Sequence, residues 1–194
     1  PQVRTVVPDH VGCGLSDKPA EGYEYTLARR VEDLGRLIDE LELETIDLVV
    51  HDWGGMIGFA WATQNPERVR RLVVLNTAAF FLPESKGFPS ALRLARLPGL
   101  GAVLVRGFGA FSRGANRFCV TRRPLEPAVA RGYLAPYATW SDRVAVHRFV
   151  EDIPLAPSDR AWQVVADTAK GLEALKDKPM LIGWGMRDFV FDHH

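Results

Sequence analysis

Residues 48–58, LVVHDWGGMIG, constrain the fold more than any other stretch of this 194-residue chain. An apolar run ends at His51 and Asp52, and Gly54 and Gly55 then open a second apolar segment. A strand, a sharp turn at one residue and a helix that begins with small residues form a nucleophile elbow. The stretch therefore predicts that Asp52 stands at the rim of a sheet, above the positive end of a helix dipole.

The segments around the elbow predict a parallel α/β sheet. We expect strands at 3–8, 46–50 and 71–76, a helix that begins after the N-cap Thr26, and a strand at 180–185. The run at 46–50 is apolar throughout, which is typical of a central strand covered on both faces. Alternating strands and helices favour a parallel α/β fold.

Between about residues 80 and 169 the pattern changes, because Gly and Pro become frequent and the apolar spacing is helical. We predict helices at 90–96, 100–120, 127–135, 140–152 and 159–168. The chain then divides into core (1–79), helical cap (80–169) and core with a strand and an acid loop (170–194).

Composition excludes several classes of protein. The formal net charge is zero, so nothing suggests a nucleic-acid partner, and no apolar run is long enough for a transmembrane segment. The two cysteines, Cys13 and Cys119, are too few for a disulfide framework, which fits a cytoplasmic protein. The glycines of VGCGLS lack the dinucleotide fingerprint, and no metal cluster is visible. We expect no cofactor and no metal.

An aspartate at the elbow changes the chemistry that the site can perform. A carboxylate is ionised at neutral pH and attacks carbon without a base, whereas water must later cleave the resulting ester with the help of a histidine and an oxyanion hole. The backbone N–H of Trp53 would form half of that hole. Alternatively, Asp52 is an ordinary helix N-cap and Trp53 a packing residue. His51 should point away from Asp52, which indicates a structural role.

The motifs HDWGGMIG, PDHVGCGLSDKP, RLVVLNTA and WGMRDFVF resemble the α/β-hydrolase superfamily, in the branch of haloalkane dehalogenases and epoxide hydrolases. The resemblance implies Asp52 as nucleophile, Trp53 as donor to the leaving group and oxyanion hole, and Asp188 as the acid that orients a histidine. Some relatives place the acid where this chain has Asn76, and an amide cannot carry the charge. Asp188 is alternatively a turn residue, and Asp192 is a weaker competitor for the acid.

The histidine base is where the sequence departs from this family. His193 and His194 follow Asp188 too closely, His147 lies on a cap helix, and His10 borders the glycine loop. The family also has an N-terminal hairpin and an HG loop that this sequence lacks. We therefore expect an α/β-hydrolase fold with a parallel central sheet and a helical cap insertion, truncated at both ends and not competent for turnover.

The cap segments VTRRPL, GYLAPY and RFVEDIPL most resemble the β-lactone decarboxylases of bacterial long-chain olefin biosynthesis. That resemblance implies a small apolar substrate, a cis dialkyl β-lactone that becomes a cis alkene and CO2, and assembly with other olefin-pathway enzymes. Haloalkane dehalogenation, epoxide hydrolysis and a non-catalytic ligand-binding module are the alternatives. The candidate pocket residues are Asn76, Tyr133, Tyr137 and Trp140, with the two tyrosines four apart on one helix.

Overall fold

A computed structural model describes residues 3–83, 87–120 and 122–191. The chain forms two compact units, and each is built from two segments. We name them the sheet unit (Tyr25–Ser90 and Asp152–His194) and the insertion unit (Pro1–Glu24 and Ala91–Glu151). The three-part division into 1–79, 80–169 and 170–194 stays a prediction.

The sheet unit contains three parallel strands in the order β1-β2-β3. They are β1 (Ile46–Asp52), β2 (Val69–Thr77) and β3 (Met180–Gly183). Val50 pairs with Val74, and Val74 pairs with Ile182. The three strands predicted at 46–50, 71–76 and 180–185 are confirmed, and the third is shorter than expected because the chain turns away after Gly183.

The strand predicted at 3–8 is wrong. Residues 4–10 have no regular secondary structure, and the side chains of Val3 and Val7 are 67% and 86% exposed. An extended segment becomes a strand only when a neighbouring backbone accepts and donates its hydrogen bonds. Among the described residues no strand pairs with this segment, so its apolar composition alone does not make it one.

Helices α1 (Leu27–Glu40) and α2 (Trp53–Gln64) pack against one another beside the sheet. The side chain of Thr26 accepts the N–H of Arg29, so the predicted N-cap of α1 is confirmed. Helix α2 is apolar around most of its circumference, as expected for a helix buried on several sides. It ends at Gln64, before the 3₁₀ turn Pro66–Arg68.

The two faces of the sheet differ in burial. Val50 and Val74 are 3% and 7% exposed, whereas Val49 and Leu181 are 62% and 66% exposed. The expectation that β1 is covered on both faces therefore fails within residues 3–83, 87–120 and 122–191. An unbroken apolar run predicts a strand but does not specify which elements cover it.

Helix α8 (Trp162–Gly171) and the following 3₁₀ turn (Leu172–Leu175) also belong to the sheet unit. A Cβ atom added to Gly171 would stand 2.8 Å from Cβ of Thr63 on α2, so a glycine is needed where the two helices meet. No helix in the described part of the chain is long and apolar enough to cross a membrane.

The insertion unit is built from short helices. They are α3 (Ser90–Arg96, of which Ser90 belongs to the sheet unit), α4 (Leu100–Ala102), a π turn (Val103–Gly107), α5 (Ala110–Phe118), α6 (Pro127–Leu134), the 3₁₀ turns Ala135–Tyr137 and Ser141–Arg143, and α7 (Val144–Glu151). The predicted single helix at 100–120 is wrong, because Gly109 has φ +60° and breaks it.

The guanidinium group of Arg143 stabilises the centre of this unit. Arg143 is 8% exposed, and it donates hydrogen bonds to the carbonyl oxygens of Tyr137, Arg106, Gly107 and Ala138. These bonds join the π turn after α4 to the turns before α7. One buried cation therefore satisfies backbone acceptors that the short helices leave unpaired.

Candidate active site

The backbone of Asp52 is bent as a nucleophile elbow requires. It has φ +50° and ψ −131°, a combination that side-chain-bearing residues rarely adopt. The N-cap Thr26, by contrast, has the extended backbone of an ordinary cap, with φ −112° and ψ 158°. Asp52 caps α2 by accepting the N–H of Trp53 at 2.6 Å, but its backbone is not that of a common N-cap.

The end of β2 determines how closely α2 approaches the strands. Thr77 lies opposite Asp52 in the register, and its hydroxyl donates to the carbonyl oxygen of Asp52. A Cβ atom on Gly55 would come within 1.8 Å of Oγ1 of Thr77, whereas one on Gly54 would meet nothing within 4 Å. Only the second of the two elbow glycines is therefore required for close packing.

A third glycine contributes to the same approach. A Cβ atom on Gly58 would stand 2.7 Å from Cγ1 of Val50. The sequence places small residues at Gly54 and Gly55, whereas in the structure the close contacts fall at Gly55 and Gly58. The contact of Thr77 was not predicted, although parallel-strand geometry could have revealed it because the carboxyl ends of neighbouring strands meet at one edge.

Four influences act on the carboxylate of Asp52. Burial raises its pKa most, the hydrogen bond from the N–H of Trp53 and the charge of His51 lower it, and the charge of Asp188 raises it. Asp52 is nevertheless exposed to solvent. The balance is a pKa above that of an ordinary aspartate, which makes the ionised carboxylate more basic.

Asp188 lies in the loop after β3, in the same unit as Asp52. Its Oδ1 atom accepts the N–H groups of Val190 and Phe191 at 2.8 and 2.9 Å, so the residue also organises the turn. Asp52 and Asp188 both lie at the carboxyl ends of strands in the same parallel sheet, and the charge of Asp188 raises the pKa of Asp52.

Asn76 holds the loop that carries Asp188. Its side-chain N–H₂ donates to the carbonyl oxygens of Gly185 and Phe191 at 3.0 Å each, and its Oδ1 accepts the N–H of Gly185 at 2.6 Å. The indole N–H of Trp184 donates to Phe191 as well. Asn76 is 8% exposed, and its pocket role stays a prediction. Its hydrogen bonds to Gly185 and Phe191 fix the backbone on both sides of Asp188.

The aromatic candidates lie in the insertion unit. Tyr133 is on α6, but Tyr137 is in the following 3₁₀ turn, so the prediction that they share one helix is wrong. Pro136 interrupts the α-helical hydrogen bonding between them. The Tyr137 hydroxyl accepts the N–H of Gly14 at 3.3 Å, and burial raises the pKa of Tyr137.

Tyr137 also lines a small cavity of about 110 Å³ within the insertion unit, together with Gly109, Ser112, Arg113, Leu134, Ala138 and Arg143. Trp140 is 47% exposed, and the guanidinium group of Arg106 lies 4.6 Å from its ring centroid. The roles of Tyr133, Tyr137 and Trp140 in a substrate pocket stay predictions.

The expectation that no histidine of this sequence is the catalytic base stays a prediction. His147 is 6% exposed on α7, its Nε2 is 3.6 Å from a carboxylate oxygen of Glu151, and burial lowers its pKa. His10 lies in the glycine loop, where its carbonyl accepts the N–H of Cys13. His193, His194 and the alternative acid Asp192 lie outside the described residues.

Comparison with known proteins identifies the family. A model of the alpha/beta hydrolase fold matches residues 1–194. The chain belongs to the alpha/beta hydrolase family. The cis-3-alkyl-4-alkyloxetan-2-one decarboxylase of Shewanella oneidensis is 53% identical over 191 residues, which are 97% of this chain and 60% of that protein. The enzyme of the same name from Xanthomonas campestris pv. campestris is 48% identical over 198 residues, covering 98% and 66%.

Haloalkane dehalogenases are more distant relatives within the same branch of this hydrolase family. The haloalkane dehalogenase of Mycobacterium marinum is 34% identical over 188 residues, covering 95% of this chain and 59% of that protein. The crystal structure of haloalkane dehalogenase DatA from Agrobacterium tumefaciens C58 superimposes with a TM-score of 0.75 at 27% identity, covering 90% and 60%. The chain thus spans about 60% of the length of the first curated relative.

Proposed function

We propose that this hydrolase-family chain serves an enzyme that decarboxylates a cis-3-alkyl-4-alkyloxetan-2-one, a four-membered β-lactone with two alkyl chains. The observation that carries the proposal is the carboxylate of Asp52 at a positive-φ elbow, above the first N–H groups of α2. The identities of 53% and 48% to decarboxylases, against 34% to a haloalkane dehalogenase, favour the lactone over the halide.

In this proposal Asp52 is the nucleophile and Trp53 a donor to the oxygen that departs. Asp188 is the acid that orients a histidine, as the family resemblance implies. The raised pKa of Asp52 supports the first role, because a more basic carboxylate is a stronger nucleophile. Asn76 supports the third role by holding the backbone on either side of Asp188.

The proposed reaction needs no water. A carboxylate oxygen of Asp52 bonds to the ring carbon that bears oxygen, and the carbon–oxygen bond of the ring breaks to leave a free carboxylate. The electron pair of the bond to that carboxylate then forms the double bond, CO2 departs, and Asp52 leaves as a carboxylate. Inversion at the attacked carbon followed by anti elimination converts a cis lactone into a cis alkene.

Attack at the lactone carbonyl is a second variant of this reaction. It would form an anhydride with Asp52 and an alkoxide, for which a donor such as the N–H of Trp53 would be required. Hydrolysis of a haloalkane or an epoxide differs from both variants, because water must cleave the alkyl ester at the carbonyl carbon of Asp52. Hydrolysis and the lactone reaction therefore leave different isotopic records on Asp52.

The experiment is a product panel in ¹⁸O-labelled water with the purified enzyme. We expect a dialkyl β-lactone to yield CO2 and alkene, with no ¹⁸O in the Asp52 peptide after many turnovers. Release of halide or diol from the alternative substrates, with ¹⁸O in Asp52, would instead establish a hydrolase. Asp52→Asn should abolish turnover, with a loss of at least about a thousandfold.

A ligand-binding module is the non-enzymatic alternative. Such a module would bind the lactone as well in the Asp52→Ala variant as in the parent protein and would release no product in either. The variant Asp47→Ala is a matched control, because Asp47 lies on the same strand and pairs with Arg70 at the surface. Its turnover should equal that of the parent.

The proposed setting of the reaction is the cytoplasm, with other olefin-pathway enzymes as assembly partners. Two cysteines in 194 residues are too few for a disulfide framework, which supports a reducing compartment. Co-purification of the enzyme from its native host, followed by mass spectrometry, would test the partners. Fractionation of the same cells would test the compartment.

A further inference from the structure

The insertion unit carries an exposed apolar ridge that the proposed chemistry does not use. It consists of Leu94, Leu97, Leu100 and Val103, which are 45%, 48%, 44% and 47% exposed. The four residues lie along the segment that contains α3, α4 and the start of the π turn, with the turn at Pro98 and Gly99 between the first two and the last two. Isolated exposed leucines are common on protein surfaces, whereas several exposed apolar side chains along one short segment indicate an interaction site.

The core of the unit does not explain the ridge. Ala95 and Val105, on the same segment, are 7% and 1% exposed and pack with Val150 of α7. The inward face of the segment is therefore already occupied by other residues. Folding of the insertion unit leaves the four ridge side chains exposed to solvent, which is unfavourable because their apolar area stays in contact with water.

The stretch of sequence that carries the ridge contains charges of one sign. Residues 87–125 contain no Asp or Glu, although the whole chain has 24 acidic and 24 basic residues. The same stretch contains seven arginines, which are Arg93, Arg96, Arg106, Arg113, Arg117, Arg122 and Arg123. Five of the seven are exposed, and only Arg96 and Arg106 are half-buried. This surface is complementary to a partner that is both apolar and anionic.

An aromatic residue flanks the ridge at its Val103 end. A Cβ atom on Gly107 would lie 3.6 Å from the ring of Trp140 and 4.0 Å from Val103, so both side chains border that glycine. The guanidinium group of Arg106 stacks on Trp140, which is half exposed. Tryptophan and arginine side chains with an apolar body and a polar tip suit the boundary between lipid chains and headgroups.

We propose that the ridge and its arginines dock the protein on the surface of an anionic lipid bilayer. The apolar side chains enter the headgroup region, and the arginines pair with lipid phosphates. A second copy of the chain is a poorer occupant, because a symmetric contact would place arginines against arginines. The inference does not depend on the chemistry proposed for Asp52.

The test is co-sedimentation of the purified protein with vesicles of phosphatidylglycerol or of phosphatidylcholine. We expect binding to the anionic vesicles alone, and binding that falls as salt rises from about 0.1 to 0.5 M, where screening shortens the reach of charge. The double variant Arg93→Gln/Arg96→Gln should bind about thirtyfold more weakly, since each arginine near a membrane contributes about fivefold. Leu97→Ser/Leu100→Ser should lose at least about tenfold.

A matched control separates this surface from net charge. Arg160→Gln/Lys170→Gln removes the same charge from exposed positions of the sheet unit and should bind like the parent. Equal loss in this control, or equal binding to both kinds of vesicle, would overturn the proposal. So would light scattering that shows a dimer dissociated by Leu97→Ser/Leu100→Ser without any vesicle binding, because the ridge would then be a contact between copies. Turnover of the docking variants should equal that of the parent.

Discussion

The elbow and the insertion unit are stabilised in different ways. At the elbow, a parallel sheet and a helix meet so closely that one missing Cβ atom, at Gly55, decides the approach. In the described insertion unit, helices of nine residues or fewer alternate with turns, and the side chain of Arg143 donates to backbone carbonyls of those turns. Tight backbone packing suits the attacking role proposed for Asp52, whereas side-chain hydrogen bonds tolerate a unit with apolar surface exposed.

The largest effect on stability is expected at Gly55. Gly55→Ala should lower the free energy of unfolding by about 3 kcal/mol, because the new Cβ would collide with Thr77. Gly54→Ala is the matched control and should change it by less than about 0.5 kcal/mol, since nothing lies within 4 Å of that Cβ position. Urea unfolding measures both, and equal effects would contradict the described approach of α2 to β2.

In the insertion unit, the variant expected to lower stability most is a replacement of Arg143. Arg143→Met should lower the free energy of unfolding by about 2 kcal/mol, because four partly buried carbonyl oxygens lose a donor. Hydrogen exchange should show the loss in α5 and α7. Arg113→Met, at an exposed position of α5, should leave exchange unchanged. Similar exchange in both variants would mean that the guanidinium group is not what holds the turns.

A variant of Thr77 tests whether one hydrogen bond holds the backbone of Asp52 in position. Thr77→Val keeps the shape of the side chain but leaves the carbonyl oxygen of Asp52 without its donor, which should cost about 1 kcal/mol of stability. Turnover should fall about tenfold, because a less rigid elbow misplaces the nucleophile. Thr63→Val, near the end of α2 and facing Gly171, is the control for removing a hydroxyl. Unchanged kcat in Thr77→Val would show that the bond does not position Asp52.

The smallest effect concerns the ionisation of Asp52. Its pKa is higher in the folded protein than in the unfolded chain, so its negative charge destabilises the fold at neutral pH. Asp52→Asn should therefore be more stable than the parent at pH 7, by less than about 1 kcal/mol. The gain should disappear as the pH falls through the raised pKa, because the parent carboxyl is then neutral as well.

Asp47 lies on the same strand and is the control, because its pKa is shifted in the opposite direction. The hydrogen bond from Arg70 lowers its pKa, so Asp47→Asn should not stabilise the protein at pH 7. Denaturant melts of both variants at pH 7 and pH 4 compare the two. A gain in both, or in neither, would show that burial is not what distinguishes Asp52.

Much of the sheet unit was predictable because its signals are local. Thr26 marks the start of α1, and the apolar run before Asp52 marks β1, since side-chain chemistry and spacing are read from neighbouring residues. The breaks in the insertion helices were less predictable. Gly109 breaks the helix expected at 100–120, and Pro136 separates Tyr137 from α6. A single glycine within an apolar pattern does not by itself specify a break.

By itself, the sequence determined which residue is the candidate nucleophile, because an aspartate between an apolar strand and a glycine-rich helix start leaves few alternative geometries. Only the tertiary structure decided that Gly55, rather than Gly54, must lack a side chain for α2 to approach β2. It also decided that Asn76 bonds to the loop of Asp188 and that residues 3–8 are not a strand. These outcomes depend on which distant backbone lies alongside, and the order of side chains along one segment does not contain that information.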